Sequence, residues 1–355
     1  MVVQGLILAA GEGSRLRPLT FTVPKPLISV MGKSLVERVV EVLRDCGVSD
    51  IALVVGYLGR LFVDVLGDGS RFGVRLSYIL QERRLGIAHA IYRGVEEGFL
   101  RGPFIVHLGD NYFGEPIQEF VREFAESDYD VFIVLTKARD PRRFGYVVLR
   151  DGRVWRLIEK PREPPPGGYT LSGLYMFRDP ELVGRAFSDL KPSARGEYEI
   201  TDLIQWFIDR GYNIGYSMTG SWWKDMGTPE DLLELLNLML EGAQARVEGE
   251  VLGTINGKVI VEKGAIVEGV VHGPAYVGRN AHIAKSSEIE HYVSVEEQAY
   301  IEGGSISRSL ILEEAKLVLG RARIVDSIIG PRSVVVLRDG KYRLIVGERN
   351  QLEGL

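Results

Sequence analysis

Cationic side chains follow a hydrophobic strand and a glycine-rich turn near the start of the chain. In "LILAAGEGSRLRPLTFTVPKPL", residues 6–27, the turn contains Gly11, Gly13 and Ser14, and Arg15 and Lys25 come after it. Backbone N–H groups in such a turn approach phosphate oxygens closely, while an arginine fork and a mobile lysine add positive charge. The segment therefore predicts a site for a phosphate-bearing ligand.

Two common phosphate-binding loops do not fit this spacing. A Walker loop requires Gly-Lys-Ser or Gly-Lys-Thr where the helix begins, and a dinucleotide fingerprint requires a third glycine at position 16, which is Leu16. A purely structural turn would not need Arg15 and Lys25. The turn is therefore interpreted as a phosphate-binding loop of another class.

The elements that must position this turn belong to an alternating pattern of strands and helices. Apolar runs at residues 2–10, 50–57, 74–81, 103–110 and 130–138 predict buried strands, and amphipathic stretches near 34–45, 88–99 and 116–126 separate them. This order predicts an α/β domain with a mostly parallel sheet. Ligands bind at the carboxyl ends of such strands, which directs attention to residues 11–15, 81–86 and Asp110.

Beyond about residue 245 the pattern changes to short β-branched segments. Valine or isoleucine recurs at six-residue spacing, and a small residue follows each of them four positions later. The aliphatic residues are Val261, Val267, Val277, Ile283, Ile289, Val295 and Ile301. This is the hexapeptide pattern of a parallel β-helix, and a β-sandwich with chance spacing is the alternative. The register skips four residues before Val277 and is lost after Ser305. The helical stretch "DLLELLNLMLEGAQA" is the predicted linker.

Bulk properties limit the classes of partner. The chain has 355 residues, 45% of them apolar, and a net charge of −5, which predicts two globular domains and gives no reason to expect nucleic acid as a partner. Cys46 is the only cysteine, so neither an internal disulfide nor a thiolate metal site is expected. The first strand begins at Val2 without a basic leader or a long apolar run. We therefore predict a cytoplasmic protein without a membrane segment.

Nine motifs in order along residues 3–235 resemble the sugar nucleotidyltransferases. They are "LAAGEGSRLRPLT", "PKPL", "LGIAHAI", "HLGDNYFG", "FGYVVL", "IEKP", "SGLYMF", "LKPSARGEYEITDLI" and "WWKDMGTPEDLLE". The resemblance is closest to the long form of the glucose-1-phosphate thymidylyltransferase branch. It implies a Rossmann-like nucleotidyltransferase domain over residues 1–240, followed by a left-handed parallel β-helix domain over residues 241–355.

The implied reaction joins dTTP and α-D-glucose 1-phosphate to give dTDP-glucose and pyrophosphate, with Mg2+ as the cofactor. The sugar phosphate attacks the α-phosphorus in line, and its second pKa of about 6 means that the nucleophile is already ionised near neutrality. No general base is required. The obstacles are repulsion between two polyanions and charge on the leaving pyrophosphate, which metal ions and fixed cations offset.

The resemblance also assigns the catalytic and metal-binding residues. Asp110 and Asp225 match the metal-binding aspartates, and Arg15 and Lys25 match the residues that bind the triphosphate and stabilise the departing pyrophosphate. Considered alone, Asp110 could cap the next segment and Asp225 could begin a turn. Two carboxylates with phosphate oxygens and waters form a hard oxygen site that suits Mg2+.

Five further residues match the sugar side of the family's site. Lys160 matches the lysine that binds the sugar phosphate, and Glu159 matches a carboxylate that accepts hydrogen bonds from adjacent hydroxyls. Gly145 matches a glycine whose backbone approaches the hexose. Arg195 and Trp223 match residues near the sugar phosphate, although Trp223 could equally be a core aromatic.

The base side of the site is predicted from Gln81 and Gly86, with Leu8 and Gly11 bordering the base. A glutamine amide offers a donor and an acceptor, so it complements the imide edge that thymine and uracil share. It does not separate dTTP from UTP. A UTP-dependent enzyme or one of relaxed specificity is therefore the alternative.

The β-helix domain carries two other hypotheses. Similar domains in fused enzymes are acetyltransferases, for which His272, His282 and His291 are candidates by residue type alone. A structural or oligomerising role is the second, because stacked coils leave an open end that a partner or the catalytic domain should cover, and we expect a homo-oligomer. A regulatory protein that binds a nucleotide sugar without turnover is a third class, which the intact Arg15, Lys25, Asp110 and Asp225 disfavour.

Overall fold

The chain divides into two compact units that are discontinuous in sequence. The computed structural model describes residues 3–56 and 58–354, so Val2 and Tyr57, at the ends of two predicted strands, lie outside the described residues. The first unit comprises residues 3–11 and 36–225, and the second comprises residues 12–35 and 226–354. The boundary after residue 240 stays a prediction.

Helices form where apolar residues recur at helical spacing behind a polar or proline start. Thr228 caps the last helix by accepting a hydrogen bond from the Asp231 N–H at 3.2 Å, with Pro229 in the first turn. Asp179 caps an earlier helix in the same way, again with a proline at the first position. Within the described residues the α-helices are α1 (Leu35–Asp45), α2 (Gly59–Leu66), α3 (Ile87–Glu96), α4 (Gln118–Glu126), α5 (Pro180–Asp189), α6 (Ile200–Asp209) and α7 (Pro229–Gly242).

The first unit contains a mixed sheet covered by helices. Numbered along the chain together with the hairpin strands β2 (Ser29–Val30) and β3 (Lys33–Ser34) of the second unit, its strands are β1 (Gln4–Ala9), β4 (Asp50–Val55), β5 (Arg75–Leu80), β6 (Phe104–Leu108), β7 (Asn111–Phe113), β8 (Val131–Thr136), β9 (Gly145–Arg150), β10 (Arg153–Glu159), β11 (Tyr169–Phe177), β12 (Ile214–Met218) and β13 (Trp223–Asp225). The main sheet runs β10-β9-β11-β6-β1-β4-β5, and β8 joins β11 to β12.

The parallel part of this sheet confirms the predicted α/β class. Strands β6, β1, β4 and β5 are parallel neighbours, and all five predicted strands and three predicted helices are present. Parallel strands lie beneath helices on both faces, which is why these segments are almost continuously apolar. On the other side of β6 the long strand β11 pairs in antiparallel fashion with β6, β8 and β9.

The second unit contains stacked parallel coils. Its strands are β14 (Arg246–Val247), β15 (Glu250–Val251), β16 (Thr254–Asn256), β17 (Val259–Val261), β18 (Ile266–Val267), β19 (Val270–His272), β20 (Ala275–Val277), β21 (His282–Ile283), β22 (Glu288–Ile289), β23 (Val293–Val295), β24 (Tyr300–Ser307), β25 (Ser309–Ile311), β26 (Lys316–Val325), β27 (Ile328–Ile329), β28 (Val334–Val336), β29 (Lys341–Tyr342), β30 (Ile345–Val346) and β31 (Gln351–Glu353). Val261 pairs with Val277 and Val277 with Val295, so successive coils are 16 and 18 residues long.

This stacking confirms the β-helix and contradicts the β-sandwich. The aliphatic residues predicted to point inward are fully buried, as Val261, Ile283 and Ile301 illustrate. The coils continue beyond Ser305, where the sequence register was lost, because irregular pairing between Glu302 and Ser305 shifts the repeat without ending the stack. In the described residues, no helix combines the length and the apolar character needed to cross a membrane.

A partly buried carboxyl group of the coils, next to Glu296, makes stability depend on pH. Burial, and next the negative charge of Glu296, raise the pKa of Glu313 to about 7 from an ordinary 4.5, and Arg332 partly opposes the shift. Below about pH 4.5 this group is protonated in the folded and unfolded chains alike. As the pH rises towards 7, only the unfolded chain releases the proton, so the folded state loses stability.

The Glu313→Gln variant should therefore gain stability only at higher pH. We expect its thermal midpoint to match that of the original chain near pH 4.5 and to exceed it by about 1–4 °C at pH 8, for a free energy on the order of 1–3 kcal/mol. Differential scanning fluorimetry across this range measures the effect, with Glu302→Gln at an exposed position as the control. An equal difference at both pH values would contradict the assignment.

Candidate active site

The carboxyl ends of the parallel strands gather several predicted residues at one edge of the first unit. Leu8 in β1 pairs with Leu108 in β6, and Val55 in β4 pairs with Leu80 in β5. The residues that follow these strands, Gly11, Gln81 and Asp110, therefore emerge at the same edge of the sheet. This is the position that the strand pattern predicts for a ligand site.

The side-chain amide of Gln81 has a fixed orientation. Its Nε2 donates to the Gly86 carbonyl at 3.3 Å and to Nδ1 of His89 at 2.8 Å. A carbonyl only accepts, so the nitrogen must face Gly86, and Nδ1 of His89 must be an unprotonated acceptor. Burial, and next the charge of Arg93, lower the pKa of His89, which favours that neutral form.

This orientation leaves Oε1 of Gln81 as the group available to a ligand. Gln81 is only 4% exposed, and no described residue donates a hydrogen bond to this oxygen. An acceptor on this buried residue complements a ring N–H, which thymine, uracil and guanine carry, and opposes the ring-nitrogen acceptors of cytosine and adenine. The amide thus favours thymine, uracil and guanine over cytosine and adenine by the chemistry of a single atom.

Gly86 shapes the turn between β5 and α3. Its φ is 101°, and a Cβ there would lie 2.4 Å from the carbonyl oxygen of Tyr198. The same tyrosine donates its N–H to the Leu85 carbonyl at 2.6 Å and accepts from the Ala88 N–H at 3.1 Å. Only glycine fits this turn. Its carbonyl group is the one that accepts the hydrogen bond from Gln81.

A short antiparallel ribbon brings the two predicted metal ligands together. In the pairing of β7 with β13, Asn111 lies opposite Asp225, and Asp110 directly precedes Asn111. Nδ2 of Asn111 donates to Oδ1 of Asp110 at 2.9 Å, and the guanidinium of Arg143 lies 3.9 Å from the Asp225 carboxylate. The ribbon therefore places the two aspartates at one end, although they are 115 positions apart in the sequence.

The donor set at this ribbon suits a hard divalent cation. Oδ1 of Asn111 is buried without a hydrogen-bond partner among the described residues, and it lies beside the carboxylates. The same residues include no group of three His, Cys, Asp or Glu side chains that could hold a metal by themselves. Two carboxylates completed by phosphate oxygens and water are the usual pattern for Mg2+. The residues present therefore fit that ion.

The predicted sugar residues form a charged cluster at the end of the β9–β10 hairpin. Glu159 lies opposite Gly145, and its carboxylate contacts Arg195 at 3.2 Å and Lys160 at 3.4 Å. It also accepts a hydrogen bond from Thr201 Oγ1 at 3.1 Å. Burial raises the pKa of Glu159, and the neighbouring Lys160 opposes that shift. A side chain at Gly145 would lie 2.8 Å from Leu171 and Thr201, so only a glycine fits.

Arg195 and Trp223, the two less specific assignments, are held mainly by protein groups. The Arg195 guanidinium contacts Glu199 at 2.8 Å and Glu197 at 3.1 Å in addition to Glu159. The indole N–H of Trp223 donates to the Ser172 carbonyl at 2.7 Å, and its half-buried ring packs edge-on against Phe144. Trp223 is thus packed within β13, the strand that ends at Asp225, and its role near the sugar phosphate stays a prediction.

Arg15 and Lys25 belong to the second unit. Gly13 adopts a left-handed conformation with φ of 61°, and a Cβ there would lie 3.1 Å from Cβ of Lys25. Ser14 and Arg15 are exposed residues of the 3-10 turn Ser14–Leu16, whereas Lys25 is only 8% exposed. The turn therefore packs Gly13 against Lys25, and the role of this segment at the phosphates stays a prediction.

Three contributors were not predicted from the sequence. Asn111 follows Asp110 directly, so the "GDN" run was a usable signal. His89, in the first turn of α3, orients Gln81, and Thr201 reaches Glu159 across 42 residues. The second and third contacts have no local sequence signature.

Comparison with known proteins identifies relatives along the full chain. The family model described as "Nucleotidyl transferase" matches residues 4–242. The chain is 38% identical to the low-salt glycan biosynthesis nucleotidyltransferase Agl11 of Haloferax volcanii, over 99% of this chain and all of that protein. It is 36% identical to a glucose-1-phosphate thymidylyltransferase of Streptomyces griseus, over 99% of each.

A solved structure agrees with the fold of about two thirds of the chain. It is a Bacillus anthracis protein assigned as a glucose-1-phosphate thymidylyltransferase, in complex with sucrose. The match has a TM-score of 0.60 and 34% identity, and covers 66% of this chain and 93% of that one.

Proposed function

The chain belongs to the nucleotidyl transferase family, and from this premise we propose that it transfers a thymidylyl group from dTTP to α-D-glucose 1-phosphate. The products are dTDP-glucose and pyrophosphate. The observation that carries the proposal is the β7–β13 ribbon, in which Asp225 pairs with Asn111, the residue that directly follows Asp110. The thymidylyltransferase relatives over nearly the whole chain support the choice of substrates.

In this proposal the chain's own residues supply charge and orientation. Lys160 binds the sugar phosphate, while Glu159 accepts hydrogen bonds from hexose hydroxyls and the backbone of Gly145 approaches the ring. Arg15 and Lys25 bind the triphosphate and stabilise negative charge on the pyrophosphate as its bond to the α-phosphorus breaks. The attacking phosphate oxygen is ionised near neutrality, so none of these residues has to remove a proton.

Mg2+ is the proposed cofactor, and Asp110 and Asp225 would hold it. When bound, it neutralises phosphate charge and polarises the reacting phosphorus–oxygen bonds. Asn111 supports this arrangement by donating to Asp110, which fixes the orientation of that carboxylate.

Base selection is proposed to depend on Oε1 of Gln81. This acceptor binds the imide N–H of thymine or uracil equally, so it separates these bases from cytosine and adenine but not from each other. The thymine methyl adds only about 1–3 kcal/mol in an apolar pocket. A UTP-dependent enzyme, or one that accepts both nucleotides, is therefore the second candidate.

A nucleotide panel tests the proposal directly. Pyrophosphate release would be measured with Mg2+ and glucose 1-phosphate against dTTP, UTP, CTP, GTP and ATP. We expect dTTP to be preferred, and CTP and ATP to react at least about 100-fold more slowly, because each presents an acceptor to the acceptor oxygen of Gln81.

Each other outcome of the panel has a defined meaning. Preference for UTP would show that UTP is the nucleotide substrate and would leave the proposed type of reaction unchanged. Preference for CTP or ATP would contradict the role of Gln81. Release of free thiol from acetyl-CoA with glucosamine 1-phosphate would assign acetyl transfer to the β-helix. No pyrophosphate with any nucleotide would favour a regulatory protein that binds without turnover. A homo-oligomer and a cytoplasmic location stay predictions.

A further inference from the structure

The hairpin formed by β2 and β3 has a turn suited to an anion. Its two central residues, Met31 and Gly32, have φ values of 53° and 75°, so both are left-handed. This is the geometry of a type I′ turn, in which consecutive backbone N–H groups point towards the same side. The turn thus forms a small cradle for a negatively charged group.

A buried carboxylate of the β-helix occupies that cradle. Glu296 has no exposed surface, and its Oε1 and Oε2 accept from the N–H groups of Met31 and Gly32, each at 2.8 Å. The Ser29 hydroxyl adds a third bond at 2.9 Å, and the Ser294 hydroxyl donates to the other oxygen. Four donors satisfy a carboxylate that would otherwise be costly to bury.

Two further contacts bind the same segment to the coils. A Cβ at Gly32 would lie 2.2 Å from the Tyr276 hydroxyl, so the turn lies directly against the β-helix surface and requires glycine. A Cβ at Gly347 would lie 3.2 Å from the Pro18 carbonyl, which shows a second close approach near the other end of the segment. Residues 12–35 accordingly form one compact unit with the coils.

The anchored hairpin lies close in sequence to Lys25. Only three residues separate Lys25 from Ser29, and the Lys25 carbonyl accepts the Ile28 N–H at 3.1 Å. The Ile28 carbonyl in turn accepts the Leu35 N–H at 3.2 Å, which closes the base of the hairpin. A displacement of the turn would therefore pass to the lysine through a short and hydrogen-bonded stretch of chain.

We propose that Glu296 is a positioning residue for nucleotidyl transfer, which holds the Lys25 segment in place by binding the Met31–Gly32 turn. The inference rests on the proposed function of Lys25. It gives the β-helix a part in the reaction without contact between Glu296 and substrate. A displacement of about 1 Å at a group that stabilises charge can cost roughly 100-fold in rate.

The Glu296→Gln variant tests the inference. Its side-chain nitrogen would face a turn N–H, so one hydrogen bond is lost and two donors oppose each other. We expect kcat/KM for dTTP to fall about 10- to 100-fold, with KM for glucose 1-phosphate within twofold of the original. Glu159 and Lys160, the proposed sugar-binding residues, belong to the other unit. The KM for glucose 1-phosphate should therefore not change in this variant. Glu302→Gln is the matched control at an exposed coil position.

A structural readout separates this inference from the proposed function. Hydrogen exchange measured by mass spectrometry should rise in residues 29–34 of the Glu296→Gln chain, and Ser29→Ala should give a smaller rise. If the original chain releases no pyrophosphate, the proposed function fails, and the catalytic role of Glu296 fails with it even where exchange confirms the anchor. If the original chain is active, unchanged kinetics in Glu296→Gln overturn the inference. The inference is also overturned if kcat/KM falls equally for dTTP and for glucose 1-phosphate and the fall parallels a loss of thermal stability.

Discussion

Replacing Lys25 by alanine is expected to lower kcat for pyrophosphate release by roughly three orders of magnitude, because a fixed cation at the leaving group acts mainly in the transition state. Lys25 lies in the 3-10 turn Lys25–Leu27 and is only 8% exposed, so water cannot readily replace its charge. Steady-state kinetics with dTTP and glucose 1-phosphate measure the effect.

Controls must separate catalysis from folding, since Lys25 is buried. Lys25→Arg keeps the charge and should retain more activity than Lys25→Ala, and Lys263→Ala removes an exposed lysine from the same unit. Thermal midpoints should be recorded for all three chains. A near-normal rate in a folded Lys25→Ala chain would remove Lys25 from the mechanism, whereas a matching loss in Lys263→Ala would show a general charge effect.

The elements of the first unit were predictable because their signals are local. The strand β1 was evident from a continuous apolar run, and α1 and α3 from helical spacing of apolar residues. The β-helix was evident because every coil repeats the same requirement for a buried aliphatic, as at Val277 and Val295. Its continuation beyond Ser305 was not, because bulges alter the coil length while the inward residues stay buried.

The arrangement of the site was only partly predictable. Asp110 was expected at the end of its strand, but nothing near Asp225 in sequence indicates that it pairs opposite Asn111. The orientation of the Gln81 amide depends on His89 and on the Gly86 carbonyl, so residue type alone left both donor and acceptor open. Such features arise from tertiary contacts, for which a single sequence has no periodic signal.

The grouping of residues 12–35 with the coils is another tertiary feature that the sequence did not predict. The segment follows β1 directly, and the motif pattern assigned it to the first domain. Its anchor is Glu296, which is 265 residues from Met31. A single carboxylate within a regular repeat is not distinguishable from a surface residue until the turn that it binds is known.

Replacing Asp110 by asparagine is expected to lower the rate of pyrophosphate release about 100-fold or more and to move its Mg2+ dependence to higher concentration. The substitution keeps the shape of the side chain but removes one of two negative charges that would hold the ion. Initial rates measured over a Mg2+ titration, at saturating dTTP and glucose 1-phosphate, separate weaker binding of the ion from a lower maximal rate.

The partner aspartate gives a second, independent readout. Asp225→Asn should shift the Mg2+ dependence in the same direction, and the double variant should lose much less than the product of the single losses, because residues that act as one unit are not additive. Asp151→Asn, in which the replaced side chain is 94% exposed, is the matched control. If the two single losses multiply, the aspartates act separately. An unchanged Mg2+ dependence in both single variants would mean that the β7–β13 ribbon does not hold the metal.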